Sequence, residues 1–209
     1  MSRYARRERL ALADLLLDVG PDAPTLCTGW TTRDLAAHLV ARERRPDAAV
    51  GIVLTPVAAH TQAVQQRFAA RDFARLVTDL RNPPVWSPVS NPLLDELVNV
   101  NEMFIHHEDV RRAQPEWTPR PLDPEHQAAL WSRVRRTAPL ALRRFPAAVV
   151  LDAGSFGTAT AGAGGSRVTV TGDPGELSLF LSGRQAYARV QLSGDPAVAE
   201  HLARARLGI

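Results

Sequence analysis

The period of the apolar positions changes once along the chain. Up to about Pro146 they recur at helical spacing; beyond it, short β-branched runs alternate with turns. A first helix is expected from a Ser2 N-cap to about Asp18, with Leu10, Ala13 and Leu17 on one face and Gly20-Pro21 as its stop. A second opens after Trp30, where Thr31 and Asp34 have the spacing of a capping box with Asp in place of Glu. It carries Leu35, His38, Leu39 and Arg42 and ends near Pro46. One long helical stretch is predicted from about Val57 to Leu80, closed by the proline-rich segment from Asn82 to Pro88. Asn91-Pro92 restarts a helix that runs to about Ala113, and Asp123-Pro124-Glu125 opens another that ends by Pro146.

Past Pro146, Ala147 to Leu151 and Val168 to Thr171 read as strands. A unit then occurs twice, 22 residues apart: strand, Gly turn, Asp N-cap, Pro at the first helical position, helix. The copies pass through Gly172-Asp173-Pro174 and Gly194-Asp195-Pro196. Two copies are too few for a solenoid. The expected fold class is therefore α+β: a helical bundle over residues 1–146 and a small mixed α/β domain over 147–209.

Composition narrows the classes. The chain has 209 residues, 45% hydrophobic and 22% charged, which excludes general disorder. No apolar run reaches the roughly 18 residues of a membrane span, so no membrane partner is expected. The basic segment from Met1 to Arg9 lacks the apolar core of a secretory signal, and the cytoplasm is the expected compartment. All 25 basic residues are arginine, against 22 acidic ones. They are spread along the chain rather than gathered into a patch, so the isoelectric point of 9.9 does not point to nucleic acid. Arg3, Arg6, Arg7 and Arg9 read as a solvated helix face. Cys27 is the one cysteine, which excludes an internal disulfide and multi-cysteine metal cages. Packing is its plainer role. A monomer or homodimer is expected.

The segment from Asn101 to Asp109 carries the chemistry. On a helix Glu102 and His106 stand one turn apart on one face, with Asp109 following at i+7 from Glu102. Both can reach one divalent ion. A third donor must come from elsewhere, and His38, on the apolar stripe of the second helix, is the candidate. Two histidines and a glutamate leave a coordination position open, the pattern of catalytic zinc. The competing reading is a buried His38 satisfied by one hydrogen bond and Glu102–His106 as a surface pair. Asp109 either orients a ligand from behind or pairs with Arg111 or Arg112. His107 points about 100° away from His106. Trp30 reads as a hydrophobic anchor. Thr158 to Ser166, with its run of glycines, reads as a flexible connection rather than a phosphate loop. Arg184, behind Gly183, is either a carboxylate clamp or a solvated side chain at a helix end.

Two stretches carry a family resemblance. Gly29-Trp30-Thr31-Thr32-Arg33-Asp34-Leu35-Ala36-Ala37-His38-Leu39 resembles the opening motif of the mycothiol-dependent maleylpyruvate isomerase family, within the DinB-like (YfiT-like) metal-binding helical bundles. Glu102-Met-Phe-Ile-His106-His-Glu-Asp109 resembles its second motif. The stretches around Gly172-Asp173, Leu179 to Arg184 and Gly194-Asp195 resemble the small α/β domain behind the bundle in many relatives. More narrowly, the chain is similar to an actinobacterial subgroup of metal-binding proteins. The resemblance implies an up-down DinB-like bundle whose metal ligands fall on His38, Glu102 and His106. It implies zinc as the metal, with nickel or iron also suited, and mycothiol as a thiol cosubstrate. The implied function is an S-transferase or isomerase that activates a small-molecule thiol toward an electrophile. On the reading of the residues themselves, Arg184 would then contact substrate and Asp109 would stand behind the ligands. The alternative is a metal-binding sensor or interaction protein without catalysis.

Overall fold

The structure is a computed structural model that describes residues 3–45, 58–87 and 95–208. The chain forms two compact units, Met1–Pro119 and Arg120–Ile209. The class is α+β.

The first unit holds helices α1 (Arg3–Val19), α2 (Thr32–Arg44), α3 (Ala58–Ala69), α4 (Phe73–Arg81) and α5 (Asp95–Arg111). The expected Ser2 cap, the Pro46 stop and the Asn91-Pro92 start lie outside the described residues. The stretch expected as one helix to Leu80 is two. Asp72 interrupts it as an N-cap, its carboxylate accepting from the Arg75 N–H at 2.9 Å. Leu12, Leu16, Leu35, Leu39, Val64, Leu76, Leu80 and Met103 form one apolar core.

Helix α1 is turned from the face its hydrophobic pattern suggested. Leu12, Ala13 and Leu16 are buried, whereas Leu17 is 48% exposed. The turn puts Glu8 and Arg9 inside, so Arg9 is not part of a solvated face. The Arg9 guanidinium pairs with Glu43 at 2.5 Å and donates to the Leu80 carbonyl at 3.1 Å. Periodicity cannot register such positions, because paired charges score as surface. Helix α5 is the stronger case. Every residue from Met103 to Val110 is buried, four of them ionisable. A helix buried on all sides must satisfy each polar group it carries.

In the second unit, α6 (Pro124–Ala141) precedes β1 (Ala148–Asp152), β2 (Thr158–Ala161), β3 (Arg167–Thr171), α7 (Pro174–Leu181), β4 (Gln191–Gly194) and α8 (Pro196–Arg204). The sheet order is β2-β1-β3-β4, with β1 and β3 parallel and the other pairs antiparallel. The repeated unit appears as β3–α7 and β4–α8, each helix opening Asp-Pro. Trp131, Val134 and Ala138 of α6 share a core with Val149, Leu151, Val168, Val170, Leu177 and Phe180. The division at Pro119–Arg120, rather than the expected Pro146, follows from that packing.

The segment expected as a flexible connection contains edge strand β2, paired Val149 to Ala161 through Asp152 to Thr158. Its glycines have a steric reason. The turn from β2 to β3 crosses the start of β1. There a Cβ on Gly162 would stand 2.4 Å from the Ala147 carbonyl oxygen, and one on Gly164 2.5 Å from that of Pro146. Both have positive φ, +78° and +152°.

Candidate metal centre

Helix α2 owes its start to Thr31 and Asp34. Asp34 Oδ2 accepts from the Thr31 N–H at 3.0 Å and from its hydroxyl at 2.9 Å. Leu35, Leu39 and Val40 anchor the inner face, and His38 and Arg42, one turn apart, remain partly exposed beside the core. Glu102 and His106 meet them from α5. The ligand atoms of His38, Glu102 and His106 lie within 4.8 Å of one another. His106 Nε2 is 3.5 Å and His38 Nε2 3.8 Å from Glu102 Oε1. The imidazole centroids stand 5.5 Å apart at 68°.

Those separations bear on two interpretations. Direct hydrogen bonds would bring the atoms to about 2.7–3.2 Å. Tetrahedral ligands with bonds of about 2.0–2.1 Å stand about 3.4 Å apart along each edge. The observed distances resemble the second case. Two imidazole nitrogens and a carboxylate oxygen suit zinc, nickel or iron, so the residues fit a divalent cation. The Glu102 side chain keeps 29% of its surface exposed.

The surroundings set the charges. Burial lowers the His38 pKa, and neighbouring His106 and Arg42 add to the effect against the pull of Glu102. Burial works against the Glu102 carboxylate, yet the two facing imidazoles and Arg42 outweigh it and hold its pKa well below the ordinary value. Arg42 Nε lies 3.5 Å from Glu102 Oε1, and its Nη1 donates to Asn99 Oδ1 at 2.7 Å. Burial also disfavours the His106 cation. Asp109, Cys27 and Glu102 overcome it and raise the His106 pKa well above the ordinary value.

Behind the cluster, Asp109 Oδ2 lies 3.0 Å from His106 Nδ1 and accepts the Cys27 S–H at 3.2 Å. Asp109 is fully buried. Arg111 and Arg112 both pair with Glu108, at 2.9 and 2.6 Å. His107 turns to the opposite side of α5, where its Nδ1 meets Glu8 Oε2 at 2.7 Å in the interior.

With this geometry in view, the fold was compared with solved structures. A histidine-to-alanine variant of mycothiol-dependent maleylpyruvate isomerase matches at TM-score 0.60 and 17% identity, over 92% of this chain and 91% of that one. A second structure of mycothiol-dependent maleylpyruvate isomerase matches at TM-score 0.57 and 19% identity, over the same shares. The chain has the fold of mycothiol-dependent maleylpyruvate isomerase. No protein-family model matches the sequence, and no curated protein does.

On this maleylpyruvate isomerase fold, sequence spacing singled out four residues that the structure brings together: His38, Glu102, His106 and Asp109. Arg184 lies in the second unit, at the end of α7, where its guanidinium donates to the Ser182 carbonyl. Three contributors escaped the sequence reading. Trp30, read as an anchor, does pack on the core but also sits against His38, with centroids 5.0 Å apart. Arg42 was readable at i+4 from His38. Cys27 had no signal, because it reaches Asp109 across 82 positions of sequence. No helix among the described residues is long and apolar enough to cross a membrane.

Proposed function

We propose that the chain binds one divalent metal, zinc first, through His38, Glu102 and His106, and uses it in thiol chemistry. The reaction would be an S-transfer or isomerisation with mycothiol as cosubstrate. The observation that carries this is the convergence of two imidazoles on one carboxylate, with both nitrogen–oxygen separations close to tetrahedral edges. The likeness in fold to mycothiol-dependent maleylpyruvate isomerase supports the choice of thiol.

A metal in such a site supplies Lewis acidity that lowers the pKa of a thiol or water in the open position. The residues of the chain do the rest. His38, kept neutral by burial, offers a free lone pair at neutral pH. Glu102 brings one negative charge, steadied by Arg42. Asp109 holds the Nδ1 side of His106 and directs Nε2 toward Glu102. Trp30 covers one face of His38 and limits water there.

The test is elemental analysis of the purified full-length protein and of His38→Ala, followed by a transfer assay with mycothiol and a general electrophile. The wild type should carry about one metal per chain and accelerate the transfer, and His38→Ala should lose both. Metal without any thiol acceleration would make the chain a non-catalytic metal-binding protein. Absence of metal from the wild type, after incubation with zinc, would end the proposal.

A further inference from the structure

The loop between α1 and α2 touches both imidazoles of the cluster. At one end Trp30 packs on His38. At the other, Cys27 reaches Asp109, the carboxylate behind His106. The loop is held to α5 twice at the same residue: the Leu26 N–H donates to the Asp109 carbonyl at 3.0 Å, and the Cys27 thiol to its carboxylate at 3.2 Å. Its own conformation is braced from inside. Thr25 Oγ1 accepts from the Cys27 N–H at 3.2 Å and donates to the Trp30 carbonyl at 2.9 Å, and the Trp30 N–H donates to the Cys27 carbonyl at 2.9 Å. The backbone of Cys27 is thus fixed from both sides, and the thiol arrives at Asp109 already placed.

We propose that Cys27 is a positioning residue for His106, acting through Asp109. One carboxylate oxygen, Oδ2, serves both the imidazole and the thiol. A buried carboxylate can turn about its Cβ–Cγ bond, and each turn would carry the imidazole partner with it. A second donor on the same oxygen restricts that turn. Asp109 then holds His106 Nδ1 in one direction, and Nε2 stays aimed at Glu102. The role needs a hydrogen-bond donor at position 27, which serine retains and alanine lacks. No reaction of the thiol is involved. This inference extends the proposed metal site, and its test separates the two.

The experiment measures zinc affinity of the full-length protein by competition with a chelator, for wild type, Cys27→Ala, Cys27→Ser, Asp109→Asn and the Cys27→Ala/Asp109→Asn pair. Loss of a residue that orients a metal-ligating histidine costs about 10–100-fold in affinity. One bond further out, Cys27→Ala should cost about three- to tenfold, and Cys27→Ser should recover most of it. The pair should lose less than the two single variants together, because the thiol and the carboxylate hold the same imidazole. Unchanged affinity in Cys27→Ala, equal losses in alanine and serine, or additive losses in the pair would each overturn the proposal. Exchange of the His106 Nδ1 proton, followed by NMR in metal-free protein, gives a reading independent of zinc. Faster exchange in Cys27→Ala, restored by Cys27→Ser, supports positioning even if the wild type binds no zinc, an outcome that would retire the metal reading alone. Identical exchange in all three proteins would overturn the positioning role whether or not zinc binds.

Discussion

His106 and Asp109, three positions apart on one helix, face each other across 3.0 Å through the imidazole nitrogen that points away from Glu102. The other nitrogen is thereby assigned to the cluster. The division of labour follows from α5 being buried around its whole circumference over this stretch, so that neither ring nitrogen has water as its default partner.

Replacing Asp109 with asparagine keeps the size of the side chain and removes its charge. Zinc affinity should fall by about 10–100-fold while the helical circular dichroism is retained. Competition with a chelator measures the first and far-ultraviolet spectra the second.

Metal binding should release a proton. The His106 pKa is raised in the metal-free protein, so below that value a metal must displace the proton from the imidazole. Zinc affinity should fall with acid by about one decade per pH unit below the His106 pKa and level off above it. The contribution of His106 to the stability of the metal-free protein runs in the opposite sense. The raised pKa adds stability that is fully present below the unfolded histidine value and is lost as pH rises through the folded one. Calorimetric titration in buffers of different ionisation enthalpy counts the protons released.

Chelation should leave the fold standing. The first unit has an apolar core of its own, with Leu12, Leu35, Leu76 and Met103 fully buried, and a 22.8 kDa chain buries ample surface without a metal. Removing zinc should lower the thermal midpoint only by the lost binding free energy. Loss of helical signal at room temperature on adding a chelator would contradict this.

The glycines of the β2–β3 turn should rank by what a Cβ would strike. Gly162→Ala puts a methyl group against the Ala147 carbonyl at 2.4 Å and should cost about 1–3 kcal/mol. Gly165→Ala meets nothing within 4 Å and should be close to neutral. Urea denaturation of the two variants gives the comparison.

How far the sequence reached depended on the kind of signal. Asp123-Pro124, Asp173-Pro174 and Asp195-Pro196 marked helix starts because the information is local: one cap and one ring that fits the first turn. Glu102 and His106 were readable because helical spacing puts them on one face, and His38 because it stands on the apolar stripe of the second helix. Strand β2 was not readable. Thr-Ala-Thr-Ala is short and sits beside glycines, and it is a strand because β1 offers it an edge. The roll of α1 was misjudged for a related reason. Glu8 and Arg9 are buried by partners on α5 and α2 that no window on α1 contains. Cys27 belongs to the same class, since its meaning lies in Asp109.

The hydrogen-bonding contact between His107 and Glu8 bears on how α5 is seated. Successive residues on a helix point about 100° apart, so two adjacent histidines report two directions at once. With His107 latched to α1 at 2.7 Å, the helix has one permitted angle about its own axis. Rolling it by a single position would swing His106 away from His38 and drag an imidazole out of its buried pairing. The latch works like a key in a keyway: the edge of α5 that carries Glu102 and His106 is aimed by a contact elsewhere on the same helix.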